Sequence, residues 1–392
     1  MVRLRPVEPL TTEFLEELGF HWHTDRDGTP YVADEIVEID EREAERYYEA
    51  ANELYDMFVE AGEYVMEKGL FHEIGIPFNL VEAVKKSWEN DVHWHIYGRF
   101  DFAGGVDGEP IKLLEFNADT PTMLFETAVV QWAMLKANGM DEAAQFNNVY
   151  EAIRDNFKRL IVLEGDPEEF SKYYEGWKIL FSAVRGHIED ENTTKLLQMM
   201  ADDAGFHTAF AYADEVEFAP EDGIFYNDER YEYWFKLIPW EMIAIEESDL
   251  ARILTSIMEN QKAIILNPAY TLMFQSKGMM KILWDLFPGH PLLLETSFEP
   301  LNKKQVQKPF FGREGGGVRI LDARGEVLHT GDDAYADQPS VYQEYVELPR
   351  DEKGRRYQAG VFFAYEGCGL GFRRGGEILD NGSKFVGHLI SE

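Results

Sequence analysis

The chain has 392 residues and sets 73 Asp+Glu against 37 Lys+Arg, a formal net charge of −36, which argues against nucleic-acid binding as its main role; the charge either serves solubility alone or attracts cations such as polyamines. With 45% hydrophobic and 14% aromatic residues it is no disordered chain, and one cysteine excludes a disulfide scaffold or a multi-cysteine zinc site. No apolar run of about 18 residues spans a bilayer, and the start from Met1 to Glu8 lacks a signal-peptide core, so a cytoplasmic protein without membrane partners is expected.

In chain order, residues 41–69 read as a helix. Leu54, Phe58, Ala61 and Val65 recur at three- and four-residue steps among glutamates. Residues 122–138 and 142–160 read as helices too, the first led by the Asp119-Thr120-Pro121-Thr122 cap region. Trp177 to Val184 reads as a strand, Asn192 to Gly205 as an amphipathic helix and Thr208 to Tyr212 as a further strand, a β-α-β rhythm that predicts a small α/β lobe. From Val306 onward, short alternating segments between glycine-rich or charged turns predict antiparallel β structure. The predicted class is α+β.

Residues 96–120 carry the chemistry. They read as two strands joined by a turn at Gly104 to Pro110. Strand side chains alternate faces, so Arg99 and Asp101 share a face, as do Glu115 and Asn117, while Phe100, Phe102, Leu114 and Phe116 take the other. Two carboxylates and a carboxamide supply hard oxygen ligands suited to Mg²⁺, and the guanidinium suits a phosphoryl group. An amphipathic hairpin with a merely solvated polar face fits the same pattern. Downstream, Gln307 to Val318 reads as strand, glycine-rich turn and strand. Lys308 can neutralise phosphates there and the glycines let backbone N–H groups approach them. Val341 to Val346 reads as a strand whose backbone can meet an adenine edge. His21-Trp22-His23 and His93-Trp94-His95 each place two imidazoles on one strand face; packing or surface histidines are the expectation, rather than a zinc site.

Taken in order, GRFDF, LLEFNADTPT, SKGMMKILWDLFPGH, KPFFGREGGG, VYQEYVELP and GFRRGGE resemble the glutathionylspermidine synthetase family, a circularly permuted branch of the ATP-grasp ligases. The resemblance implies one synthetase module over 1–392: a helical region with the metal-binding hairpin over 1–165, a small α/β (pre-ATP-grasp) substrate lobe over 166–275, and a β-rich nucleotide-binding lobe over 276–392. It implies ATP and Mg²⁺ as cofactors. ATP would phosphorylate an acid to an acyl phosphate, and an amine would then attack to give an amide. Asp101, Glu115 and Asn117 match magnesium ligands, and Arg99 and Arg374 match arginines on the transferring phosphoryl. Lys277, Lys308, Glu314, Gly315, Gln343, Glu344, Tyr345, Val346, Gln358 and Leu379 match nucleotide contacts, with Asp380 and Asn381 beside the last. Thr120 and Thr122 stand where the family has glutathione-contacting serines, Asp190 and Glu191 match an acidic pair near peptide and polyamine, and Arg313 matches a grip on a substrate carboxylate or anchors its loop. Arg373 falls on the opposite strand face and reads as structural. The sole cysteine, Cys368, lies in the late β region, so no amidase activity is expected. Apolar residues replace family threonines within Lys236 to Met242, which leaves the peptide-like acid and the amine unnamed. An ATP-grasp phosphotransferase and a nucleotide-responsive binding protein are alternatives that keep the same nucleotide residues.

Overall fold

The computed structural model describes residues 1–25, 27–162 and 178–391. Its longest helix, Glu41–Lys68, starts on a reciprocal cap: the Asp40 carboxylate accepts from the Glu43 N–H, and the Glu43 carboxylate accepts from the Asp40 N–H. Gly69 ends it in the left-handed region at φ +70°. The predicted stripe of Leu54, Phe58, Ala61 and Val65 is fully buried. Phe58 packs on Phe116 and Phe100, with ring centroids 5.1 and 5.9 Å away, and those two rings stack at 3.8 Å. The apolar side of the predicted hairpin thus fills the core under this helix.

The hairpin, Gly98–Ala103 with Lys112–Asn117, joins a five-stranded antiparallel sheet whose other strands are Arg356–Ala364, Glu366–Gly375 and Lys384–Val386. Asp101 pairs with Glu115 on one side and with Gly360 on the other. A continuous sheet therefore joins the sub-regions read over 1–165 and 276–392. One expectation fails locally. The register slips between Asp101 and Phe102, which pair with Glu115 and Leu113. Leu114 is the extra residue of a bulge and lines a cleft beside Glu115, while Leu113 takes the core position.

A second antiparallel five-stranded sheet runs Thr296–Ser297, Ser340–Glu344, Gln305–Pro309, Arg319–Leu321, Val327–Thr330. It carries the predicted β texture after Val306. A four-stranded parallel sheet, ordered Ile264–Leu266, Tyr233–Lys236, Lys178–Ala183, His207–Tyr212, forms the α/β part. Its helix Ile188–Asp203 begins four residues before the expected Asn192 start, and Trp177, the predicted start of the first strand, lies outside the described residues. The helix expected at 122–138 opens as a π-helical turn, Glu126–Val130, before Gln131–Ala137; the next one is Val149–Val162. Strands Leu4–Pro6 and Glu35–Ile39 pair with each other, and the second also takes His388–Ile390 alongside, joining both ends of the chain. Among the described residues no helix is long and apolar enough to cross a membrane.

Candidate active site

Between the two five-stranded sheets lies an open cleft. Leu114, Glu115 and Gln358 enter it from the first sheet, and Lys308, Gln343 and Ile320 from the second. Arg99 grips Asp101 bidentately, Nε to Oδ1 at 2.7 Å and Nη2 to Oδ2 at 3.0 Å, and Asn117 Nδ2 donates to the same Oδ2 at 3.1 Å. Glu115 faces Lys277, whose Nζ lies 3.0 Å from Oε2 and also donates to the Gly312 carbonyl at 2.7 Å. Lys308 Nζ donates to Gln343 Oε1 at 2.7 Å and to the carbonyl of the bulged Leu114 at 3.0 Å.

Charge is concentrated here. Burial raises the Glu115 carboxyl, but Lys277, Lys308 and Arg99 overcome it and bring the group down to about 2. Burial pulls Lys308 down to about 8 against the attraction of Glu115. Burial pushes Asp101 up in spite of Arg99. Such mutual neutralisation suits a site that exchanges its internal ion pairs for a metal ion and phosphates. Among the described residues no three His, Cys, Asp or Glu side chains gather around one point. The candidate metal set is thus two carboxylates and a carboxamide, which fits Mg²⁺ completed by phosphate oxygens and water.

The loop after Lys308 shapes the cleft's rim. Glu314 and Gly315 have φ of +53° and +74°, and a Cβ on Gly315 would lie 2.6 Å from the Leu379 carbonyl oxygen. Only glycine permits that approach. Gly360, opposite Asp101, leaves similar room: a Cβ there would meet Arg99 Cδ at 3.0 Å. At the far end, Glu344, Tyr345, Val346 and Leu379 line the cleft. The N–H groups of Glu344 and Tyr345 already donate to the carbonyls of Glu295 and Lys304.

Two expected residues lie elsewhere, and their neighbours stand in the site. Arg374 pairs with Tyr357 in register and forms an ion pair with Glu35. Arg373 pairs with Gln358, two residues from Gly360, and so shares the face of Asp101. Its Nη2 donates to the Asp380 carbonyl at 2.7 Å, and its Nε is buried without a partner. In the acidic run, Glu191 is bonded by Lys195 and Tyr212 at 2.6 and 2.8 Å. Glu189, not singled out in the sequence, instead joins Asp190. Burial, Glu126, Asp190 and Glu314 push Glu189 up to about 8. Glu126 opens the π-helical turn, fully buried, and accepts from Trp22 Nε1 at 3.0 Å. A strand or helix one residue out of phase hides each of these residues, and only pairing partners reveal the phase.

Of the remaining candidates, Thr122 accepts from Arg99 Nη1 through its carbonyl at 2.6 Å, and Thr120 Oγ1 accepts from Arg313 Nη1 at 2.9 Å. Asp119, just beyond Asn117, forms a fully buried ion pair with Lys236 at 3.0 Å. His95 stacks on Tyr55, its Nε2 2.9 Å from the Ala118 carbonyl oxygen, and burial holds it down at about 4. It is a packing residue.

A family model described as glutathionylspermidine synthase preATP-grasp matches residues 3–391. The chain belongs to that family. It is 28% identical to a protein of Haemophilus influenzae named "Putative acid--amine ligase", with 98% of each chain covered. It is 24% identical to the bifunctional glutathionylspermidine synthetase/amidase of Escherichia coli, where 95% of this chain covers 60% of that protein. The solved apo structure of a glutathione synthetase-like effector from Globodera pallida superposes with a TM-score of 0.54 at 11% identity, covering 98% of both chains. That likeness concerns the fold. The family expectation and the α+β, ATP-grasp-like fold class are both borne out.

Proposed function

We propose that this chain is an ATP-dependent acid–amine ligase that activates a carboxylate as an acyl phosphate and passes the acyl group to an amine. The carrying observation is that Glu115, Lys277 and Lys308 line one cleft, while Arg99 and Asn117 both bond Asp101, which pairs in register with Glu115. Asp101, Glu115 and Asn117 would hold Mg²⁺, which neutralises phosphate charge when bound. Lys277 and Lys308 leave Glu115 and Gln343 for the polyphosphate. With Glu344 and Tyr345 N–H groups committed, the adenine edge falls to the backbone of Val346, beside Leu379.

Arg99 and Arg373 flank the Asp101 face and spread the charge that develops on the transferring phosphoryl. Arg373 takes the role expected of Arg374. The half-buried Glu189 and Asp190, backed by Glu126, offer negative charge to an amine, in keeping with a polyamine-like cation. A protonated Glu189 can also release its proton as the cation arrives. The relatives' names carry glutathione and spermidine; for this chain the acid is a peptide-like molecule and the amine a cation.

The test is ADP release from Mg²⁺-ATP across a panel of peptide-like acids and amines, with mass spectrometry of the products. ADP that requires both an acid and an amine, with a new amide mass, is the expected result. ADP formed with one partner and a stable phosphorylated product would make the enzyme a phosphotransferase instead.

A further inference from the structure

Arg313 leaves the glycine-rich loop and reaches across to the parallel-sheet side of the site. Its Nη1 donates to Thr120 Oγ1 at 2.9 Å and its Nη2 to Glu241 Oε1 at 2.6 Å. Glu241 is only 3% exposed. It sits on the helix Trp240–Glu246, whose first N–H donates to Asp119 Oδ2 at 2.9 Å. The adjoining pair is Lys236 with Asp119. Beside Thr120, then, two cations are already matched by two buried carboxylates. Two buried polar atoms stay unpaired at this point: Glu241 Oε2, an acceptor, and Arg313 Nε, a donor.

A second carboxylate on an incoming acid would find Arg313 already matched, and would meet the like charge of Glu241 in a dry setting. A carboxamide would not. Its carbonyl oxygen accepts from an N–H such as Arg313 Nε, and its NH₂ donates to an oxygen such as Glu241 Oε2. Sites with buried polar groups reject ligands that leave those groups unpaired. We propose that Glu241 is a specificity-determining residue: by occupying Arg313 it sets the acid pocket to take a substrate whose non-reacting end is a neutral carboxamide-like group rather than a second carboxylate. This rests on the ligase reading both for which end of the substrate reacts and for the acid lying beside Thr120.

The test is calorimetric binding to the full chain with Mg²⁺-ADP present. The probes are glutathione and the same tripeptide with its γ-glutamyl α-carboxylate converted to a carboxamide. Both keep the glycine carboxylate that a ligase would activate. The wild type should bind the carboxamide about 10-fold more tightly or better, since like charges across a buried contact are strongly unfavourable. Glu241→Gln should tighten glutathione by about the same factor and so abolish or invert the preference. Equal affinities for the two probes in the wild type, a preference unchanged in Glu241→Gln, or binding of neither probe to either protein would overturn the proposal. The wild-type ratio stands even where the variant folds poorly. Because no turnover is read, these outcomes are separate from those of the ADP-release experiment.

Discussion

Lys308 donates directly to Gln343 and to the Leu114 carbonyl, and burial pulls its ammonium down to about 8. Below that pH the side chain is charged; above it, neutral. A bound polyphosphate favours the charged form and raises the value, so binding takes up a proton at higher pH. The ATP dissociation constant should stay flat up to about pH 8 and then rise, by about tenfold per pH unit at most. Calorimetry across that range checks this, and Lys308→Arg, which holds its charge, should flatten the profile. At the proposed metal set, Asn117→Ala removes one candidate oxygen ligand and the donor to Asp101. Turnover should drop by roughly 100-fold and need more Mg²⁺; unchanged turnover would refute the metal assignment. The two adjacent arginines separate cleanly. Arg373→Ala should lower kcat by roughly 100-fold. Arg374→Ala, which removes one of the two arginines paired with Glu35, should lower the melting temperature while leaving kcat nearly intact.

At the scale of elements, the glycine-rich loop is held against the C-terminal segment by contact between backbones. Gly315→Ala places a Cβ 2.6 Å from the Leu379 carbonyl oxygen at a φ of +74°. The left-handed conformation alone costs about 1–2 kcal/mol, and the clash must also move the loop away from Leu379 at the rim of the cleft. The KM for ATP should rise well before the melting temperature falls far, as ATP titration of ADP release and a thermal melt would show. The same elements show what the sequence makes legible. The alternation across Arg99, Asp101, Glu115 and Asn117 is written in the chain, because period two and one apolar face determine it. Leu114 is not, because a bulge belongs to the pairing of two strands. Nor is the face of Arg373, which follows from Gln358 opposite. Tyr233–Lys236 shows neither alternation nor flanking turn signals, so a strand buried on both faces passes unnoticed there. The pairing of Glu35–Ile39 with His388–Ile390 spans almost the whole chain, and local pattern does not reach so far.

For the molecule as a whole, the decisive junction is where the parallel sheet meets the hairpin that carries Asp101 and Asn117. Lys236, the last residue of its strand, donates to Asp119 Oδ1 at 3.0 Å and to the Ile238 carbonyl at 2.8 Å. Asp119 follows Asn117 by two residues, and its second oxygen receives the Trp240 N–H. One carboxylate therefore links the strand Lys112–Asn117, the parallel sheet and the helix that carries Glu241. Both side chains are fully buried. Removing one partner strands a charge in a dry interior, so Lys236→Met should destabilise the fold by about 3–5 kcal/mol. The double variant Lys236→Met/Asp119→Leu leaves no unpaired charge. It should cost less than the single change, although it still loses the Trp240 bond, a non-additive outcome that urea midpoints would show. Its consequences for binding should differ from its stability. With Asp119 gone, the helix Trp240–Glu246 loses its anchor, and Arg313 loses the fixed position of Glu241. The double variant should therefore lose discrimination between glutathione and its carboxamide while still binding ATP. Discrimination retained at wild-type strength would mean that Glu241 is positioned by other contacts.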